Sequence, residues 1–162
     1  MSPTPRTLVA FYSRTGTTER VARAVEARLD DPTVERLRPT KQRRYLHWLA
    51  RSFVPGSTVA IDPVEADPRA FDAVFLGTPK WTFSCPPVTA YLDRVRFDGV
   101  PVGLFLTYGG FDEERYARRL EDRLRAAGAA EVVTLLARRE RVDAGAVGAD
   151  VEALVADVLE LT

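Results

Sequence analysis

The chain has one cysteine, Cys85, and one histidine, His47, among 162 residues. A lone thiol closes no disulfide within the chain and builds no cysteine-cluster metal site. A lone imidazole excludes multi-histidine metal sites and leaves any Ser-His-Asp arrangement dependent on His47. Charge of either sign is not in excess: 23 basic residues balance 23 acidic ones. That balance argues against a wholly basic nucleic-acid binder, although it permits a local basic patch. Long hydrophobic runs are missing too. Stretches such as residues 73–76 and 104–106 fall far short of the roughly 18 apolar residues a membrane span needs. Residues 1–6 contain Pro and Thr and lead into no long apolar segment, so no secretory signal is expected and the cytoplasm is the expected location.

What is present is the composition of a folded domain, 46% hydrophobic and 28% charged. A single domain over residues 1–162, with room for a sizeable core, is expected. Residues 7–12 (TLVAFY), 72–77 (DAVFLG), 100–107 (VPVGLFLT) and 131–137 (EVVTLLA) are short apolar runs. Such runs read as strands buried on both faces. Residues 33–37 give a marginal further strand. Between them lie stripes of helical period. Val21, Ala22, Val25 and Leu29 predict a helix over 19–29. Val88, Tyr91, Leu92 and Val95 predict one over 86–95, with a proline in its first turn. Tyr116, Leu120 and Leu124 predict one over 112–127, closed by Gly128. Val151, Leu154, Val155 and Val158 predict a last helix over 150–161. Strands alternating with helices imply an α/β fold: a doubly wound, five-stranded parallel sheet with helices on both faces.

Residues 39–59 break the alternation. Arg36, Arg38, Lys41, Arg43, Arg44 and Arg51 fall in or beside this stretch, and no acid occurs between Glu35 and Asp62. Tyr45, Leu46, Trp48, Leu49 and Phe53 are interleaved, which predicts a short amphipathic helix over 42–53. Three roles are open to this basic-aromatic insert. Its aromatics cover the sheet edge while the arginines stay solvated, or it docks an acidic protein or covers a ligand, or it meets a membrane surface or nucleic acid.

In an open parallel sheet, ligands bind at the carboxyl ends of the strands, where the strand order reverses. With the order 2-1-3-4-5, the loops after strands one and three share one crevice. The first loop supplies hydroxyls from Ser13, Thr15, Thr17 and Thr18, a charge from Arg14 and a close turn at Gly16. It runs into a helix whose first amides lack intrahelical partners, an arrangement suited to phosphate. The alternative is a hydroxyl-rich turn that only caps the helix. Neither GxGxxG nor GxxxxGK[ST] occurs, which disfavours a dinucleotide-type and a P-loop site. The second loop carries Thr78, Pro79, Lys80, Trp81 and Phe83. Its aromatics suit stacking on a flat ring, or they fold back on the core. The third carries Thr107, Tyr108, Gly109 and Gly110, whose glycines admit close backbone approach.

These three loops, in this order and spacing, resemble the flavodoxin-like family across most of the chain. Tyr-Ser-Arg-Thr-Gly-Thr-Thr looks like the family's phosphate loop. Gly-Thr-Pro-Lys-Trp, followed by Cys85-Pro86-Pro87-Val88, and Thr107-Tyr108-Gly109-Gly110 are similar to its second and third flavin loops. The resemblance implies FMN as a non-covalent cofactor and electron transport or oxidoreductase activity as the function. It implies that residues 13–18 hold the FMN phosphate, that residues 78–81 and Phe83 border the isoalloxazine, and that residues 107–110 meet its pyrimidine end. It implies no catalytic side chain, because the flavin carries the electrons. Donor and acceptor would be a redox protein or a small molecule: a one-electron carrier and a small NAD(P)H- or quinone-linked reductase are both open. A flavin-free binding module of the same fold is the alternative. A receiver domain is disfavoured, since its acidic positions are occupied here by Tyr12-Ser13-Arg14 and Gly77-Thr78-Pro79. Cys85 lacks a resolving thiol in the chain, and His47 reads as a surface or packing residue. From Asp143 onward the chain has acids and no base, which suits a solvated helix face or a homodimer contact with another subunit's insert.

Overall fold

The structure, a computed structural model, describes residues 3–41 and 44–162. Gln42 and Arg43 of the expected insert helix, and Met1 and Ser2 of the N-terminal stretch, lie outside the described residues. Five strands form one sheet: β1 (Thr7–Phe11), β2 (Thr33–Arg36), β3 (Ala73–Pro79), β4 (Val102–Tyr108) and β5 (Val132–Arg138). Their order is β2-β1-β3-β4-β5, and every pairing is parallel. The expected α/β fold is therefore present, with the chain reversing its winding between β1 and β3.

The central strands are apolar because both faces are covered. Leu8, Ala10 and Tyr12 of the first strand segment join one core with Val74, Leu76 and Leu104. Val9 and Phe11, pointing the opposite way by the period of two, join a second core with Phe75 and Phe105. Helix α1 (Thr17–Glu26) and α6 (Gly148–Leu159) cover that second face through Val21, Val25, Val151 and Val155. Helices α3 (Pro86–Arg94) and α4 (Glu113–Ala126) send Val88, Tyr91, Leu92 and Leu124 into the first. β2 is the exception: its residues are exposed or half-buried, as befits an edge. Among the described residues, no helix is long and apolar enough to cross a membrane.

Three local results depart from the sequence reading. α1 starts two residues before the expected 19 and ends at Glu26. Beyond it the amides of Arg28 and Leu29 bond the carbonyls of Val25 and Glu26, a tightened turn rather than a continued helix. A five-residue helix, α5 (Arg139–Asp143), follows β5. It is mostly charged and buries Val142 alone, so no apolar period announces it. The insert helix, α2 (Tyr45–Ser52), is shorter than the expected 42–53.

Candidate functional site

The first loop leaves β1 and turns sharply at Gly16, whose φ of 97° lies in the left-handed region. The Gly16 amide donates to Ser13 Oγ at 3.2 Å, which fixes the turn. The first helical hydrogen bond runs from the Arg20 amide to the Gly16 carbonyl, 3.0 Å. The amides of Thr17, Thr18 and Glu19 therefore precede the helical ladder, and no side chain caps them. That observation bears on the capping alternative: the hydroxyls gathered here do not close the helix end. The Thr18 hydroxyl is engaged elsewhere, 2.7 Å from Thr107 Oγ1, in a buried pair that ties the first loop to the third.

The second loop is braced from two sides. The Lys80 amide donates to the Thr107 carbonyl at 2.7 Å, extending the β3–β4 pairing. The Lys80 ammonium lies 5.7 Å from the centre of the Phe111 ring and 6.0 Å from that of Tyr116. Trp81 meets Tyr12 edge-on at 5.7 Å and packs half-buried against the first core. The insert braces the other side. Trp48 of α2 is buried, with its ring 6.4 Å from that of Trp81. Ser52 Oγ lies 2.9 Å from Thr82 Oγ1, and the Phe83 amide donates to the Ser52 carbonyl at 2.8 Å. Phe53 meets Phe83 edge-on at 6.2 Å. The insert is thus a structural flank of the second loop.

The three loops converge on one cavity of about 360 Å³. Ser13, Arg14, Thr15, Thr17 and Thr18 line it from the first loop, Pro79, Lys80 and Trp81 from the second, and Thr107, Tyr108 and Gly109 from the third. Gly16 and Gly110 stand in these loops without lining it. Two expected residues go elsewhere. Thr78 is fully buried, and Phe83 is half-exposed; both border a separate cavity of about 400 Å³ beside Cys85. The reasons are local. Strand alternation carries through Pro79, so Thr78 turns away from the crevice. The hydrogen bond to Ser52 draws Phe83 toward the insert. Four further residues complete the wall: Thr82 and Phe111 from the second and third loops, Leu49 from the insert, and Arg139, which the sequence reading missed. Arg139 had a usable signal, since it directly follows the carboxyl end of β5. Leu49 belongs to the insert, for which covering a ligand is one of the open roles.

Cys85 is buried, and burial pushes its thiol up to about 12, against hydrogen bonding from Thr78 and the Val88 backbone. A thiol held neutral in this way is a poor nucleophile. Burial likewise raises the Tyr12 phenol to about 12, with the neighbouring Cys85 adding to the rise and Arg14 opposing it. His47 is exposed on α2, edge-on to Trp48 at 5.5 Å. Asp143 at the end of α5 pairs with Arg20 of the same chain at 2.9 Å.

The sheet order, the uncapped α1 terminus and the loop crevice define a flavodoxin-like α/β protein. The sequence model of the flavodoxin family matches residues 6–136. An uncharacterised protein of Archaeoglobus fulgidus is 38% identical over 134 residues, covering 82% of this chain and 85% of that protein. The chain belongs to the flavodoxin family. Among solved structures, a flavoprotein from Lactobacillus acidophilus in complex with FMN is 18% identical, with a TM-score of 0.66 over 86% of this chain and 97% of that one. An NAD(P)H:quinone oxidoreductase from Methanothermobacter marburgensis is 18% identical, with a TM-score of 0.54 over 93% of this chain and 98% of that one. At these identities the two structures speak for the fold.

Proposed function

We propose that this chain binds FMN non-covalently in the three-loop crevice and transfers electrons through it. The observation that carries the reading is the uncapped start of α1, lying against a cavity that all three loops share. The family and the FMN-bound neighbour of the same fold support it.

Each wall of the crevice has a part in this reading. The amides of Thr17, Thr18 and Glu19, with the hydroxyls of Ser13, Thr15 and Thr17, receive the phosphate, and the dipole of α1 adds positive potential there. The Thr18–Thr107 pair locks the first loop to the third and so holds the phosphate end at a fixed distance from the ring end. Trp81, Leu49 and Tyr108 offer apolar and aromatic surface to a flat ring and exclude water from it. Lys80 and Arg139 bring positive charge to the same walls, which favours the more negative redox state of a bound group. FMN, when bound, supplies the electron-transfer chemistry, and a redox protein or small molecule serves as donor and acceptor.

The test is an absorbance spectrum of the purified chain with FMN, followed by NADH and NADPH without oxygen. A protein-bound flavin spectrum is expected. Bleaching by a nicotinamide makes the protein a reductase, and a stable oxidised spectrum makes it a carrier charged by a protein partner. Failure to bind FMN overturns the reading and leaves a flavin-free binding module.

A further inference from the structure

The second loop has a cavity on each side. Pro79, Lys80, Trp81 and Thr82 line the flavin crevice, whereas Thr78, Phe83 and Ser84 line the separate cavity of about 400 Å³. The proposed function leaves that cavity unused, although its volume is that of a small-molecule site. Its other walls come from α3, from α4 and from residues 55–56, just beyond the insert helix.

The apolar part of this cavity follows from helical spacing. Val88 and Leu92 are four apart on α3, and Tyr116 and Leu120 are four apart on α4, so each pair presents one face. The hydroxyls in the same walls are already engaged. Thr78 Oγ1 donates to the Pro79 carbonyl at 3.0 Å, Ser84 Oγ to the Val54 carbonyl at 3.2 Å and Thr89 Oγ1 to the Cys85 carbonyl at 3.2 Å. Each of these protons goes to the wall's own backbone, and the Tyr116 phenol meets the backbone of Trp81. An anion seated deep in the cavity would find few donors, and a buried charge without partners is costly. An apolar body suits the interior instead. Positive charge stands on the α4 wall, where Arg119 and Arg123, again four apart, share a face. Arg123 is engaged by Asp93 of α3. Arg119 is exposed and joins no ion pair among the described residues. No Asp or Glu opposes it among the described residues that line the cavity. A guanidinium in that position takes a carboxylate through paired, charge-assisted hydrogen bonds.

We propose that this cavity binds an apolar monocarboxylate, with its hydrocarbon body between α3, α4 and Phe83 and its carboxylate at Arg119. Two kinds of acid share that chemistry: a medium-chain fatty acid and an aryl-alkyl acid. The site is separate from the flavin crevice and does not rest on the flavin reading.

The experiment is calorimetric titration of octanoate and of phenylbutyrate into the flavin-free chain, with octanol and phenylbutanol as the uncharged counterparts. It is repeated for Arg119→Gln and for Thr89→Phe, with circular dichroism to show that each variant is folded. One equivalent of acid is expected to bind, about fivefold more tightly than its alcohol, the margin a solvent-exposed ion pair supports. Arg119→Gln is expected to erase that margin and leave the alcohol's affinity unchanged, which a merely structural role for Arg119 would not do. Thr89→Phe adds a ring to the cavity from a half-buried position on α3 and is expected to abolish binding of acid and alcohol alike. The tighter of the two acids identifies the body as a flexible chain or a flat ring. The proposal is overturned if neither acid binds, if the margin over the alcohol is absent from the unaltered chain or survives in Arg119→Gln, or if Thr89→Phe binds as tightly as the unaltered chain. Displacement of the acid by saturating FMN also overturns it, by placing the acid in the flavin crevice. A chain that takes up no FMN fails the flavin reading alone, because the titrations of the variants need no flavin.

Discussion

Gly16 carries the tightest backbone requirement of the candidate site. A Cβ there would meet nothing within 4 Å, so space is not the constraint, whereas a φ of 97° strains any L residue. Gly16→Ala is expected to cost about 1–2 kcal/mol of stability by that strain and to weaken FMN retention modestly. Gly16→Asp adds a carboxylate beside the phosphate position and is expected to abolish retention in a folded protein. Flavin occupancy of the two purified variants separates these effects, and full occupancy in Gly16→Asp would remove the phosphate from this loop. Trp81→Ala is expected to shift the potential of bound flavin while leaving the melting temperature within a few degrees, because Trp81 is half-buried at the crevice wall. Cys85 makes the opposite case. A neutral, buried thiol is expected to resist iodoacetamide at pH 8 in the native state and to react once the chain is denatured. Rapid native labelling, followed by mass spectrometry, would show that this face of the sheet opens. At this scale the sequence was partly legible. Residue types in the first loop pointed to an anion, but the side on which Thr78 and Phe83 end up depends on strand phase and on the hydrogen bond to Ser52, which no local pattern reveals.

The elements differ in how firmly they are held. Gly77 of β3 faces Phe105 of β4 so closely that an added Cβ would overlap the ring. Gly77→Ala is therefore expected to lower stability by about 1–3 kcal/mol, as measured by chemical denaturation, since neither strand can move without disturbing both cores. α2 rests on less. Its anchors are the buried Trp48 and the Ser52 contacts to the second loop. Trp48→Ala is expected to release α2 locally, read as severalfold faster trypsin cleavage after Arg51 with the denaturation midpoint of the rest of the chain little changed. Unchanged cleavage would mean that the Ser52 contacts suffice. The central strands and main helices could be read directly from apolar runs and stripes, because each buries its apolar residues on a regular period. α5 escaped because five mostly charged residues have no such period, and the extent of α2 because basic and apolar residues alternate through the insert.

For the whole molecule, parallel strands and the order β2-β1-β3-β4-β5 place three loops at one end of the sheet, and the insert adds a fourth wall from outside the α/β alternation. The architecture was legible because it follows from strand–helix alternation; the insert's place in it was not, because its docking depends on long-range contacts with the second loop. Both tryptophans of the chain stand at this end, one lining the crevice and the other 6.4 Å behind it. Titrating FMN into the flavin-free chain while following tryptophan fluorescence therefore tests the central claim directly. Nearly complete quenching with a break at one equivalent of FMN is expected, together with loss of quenching in Gly16→Asp. Tryptophan emission that stays unchanged at excess FMN would contradict a flavin seated in this crevice.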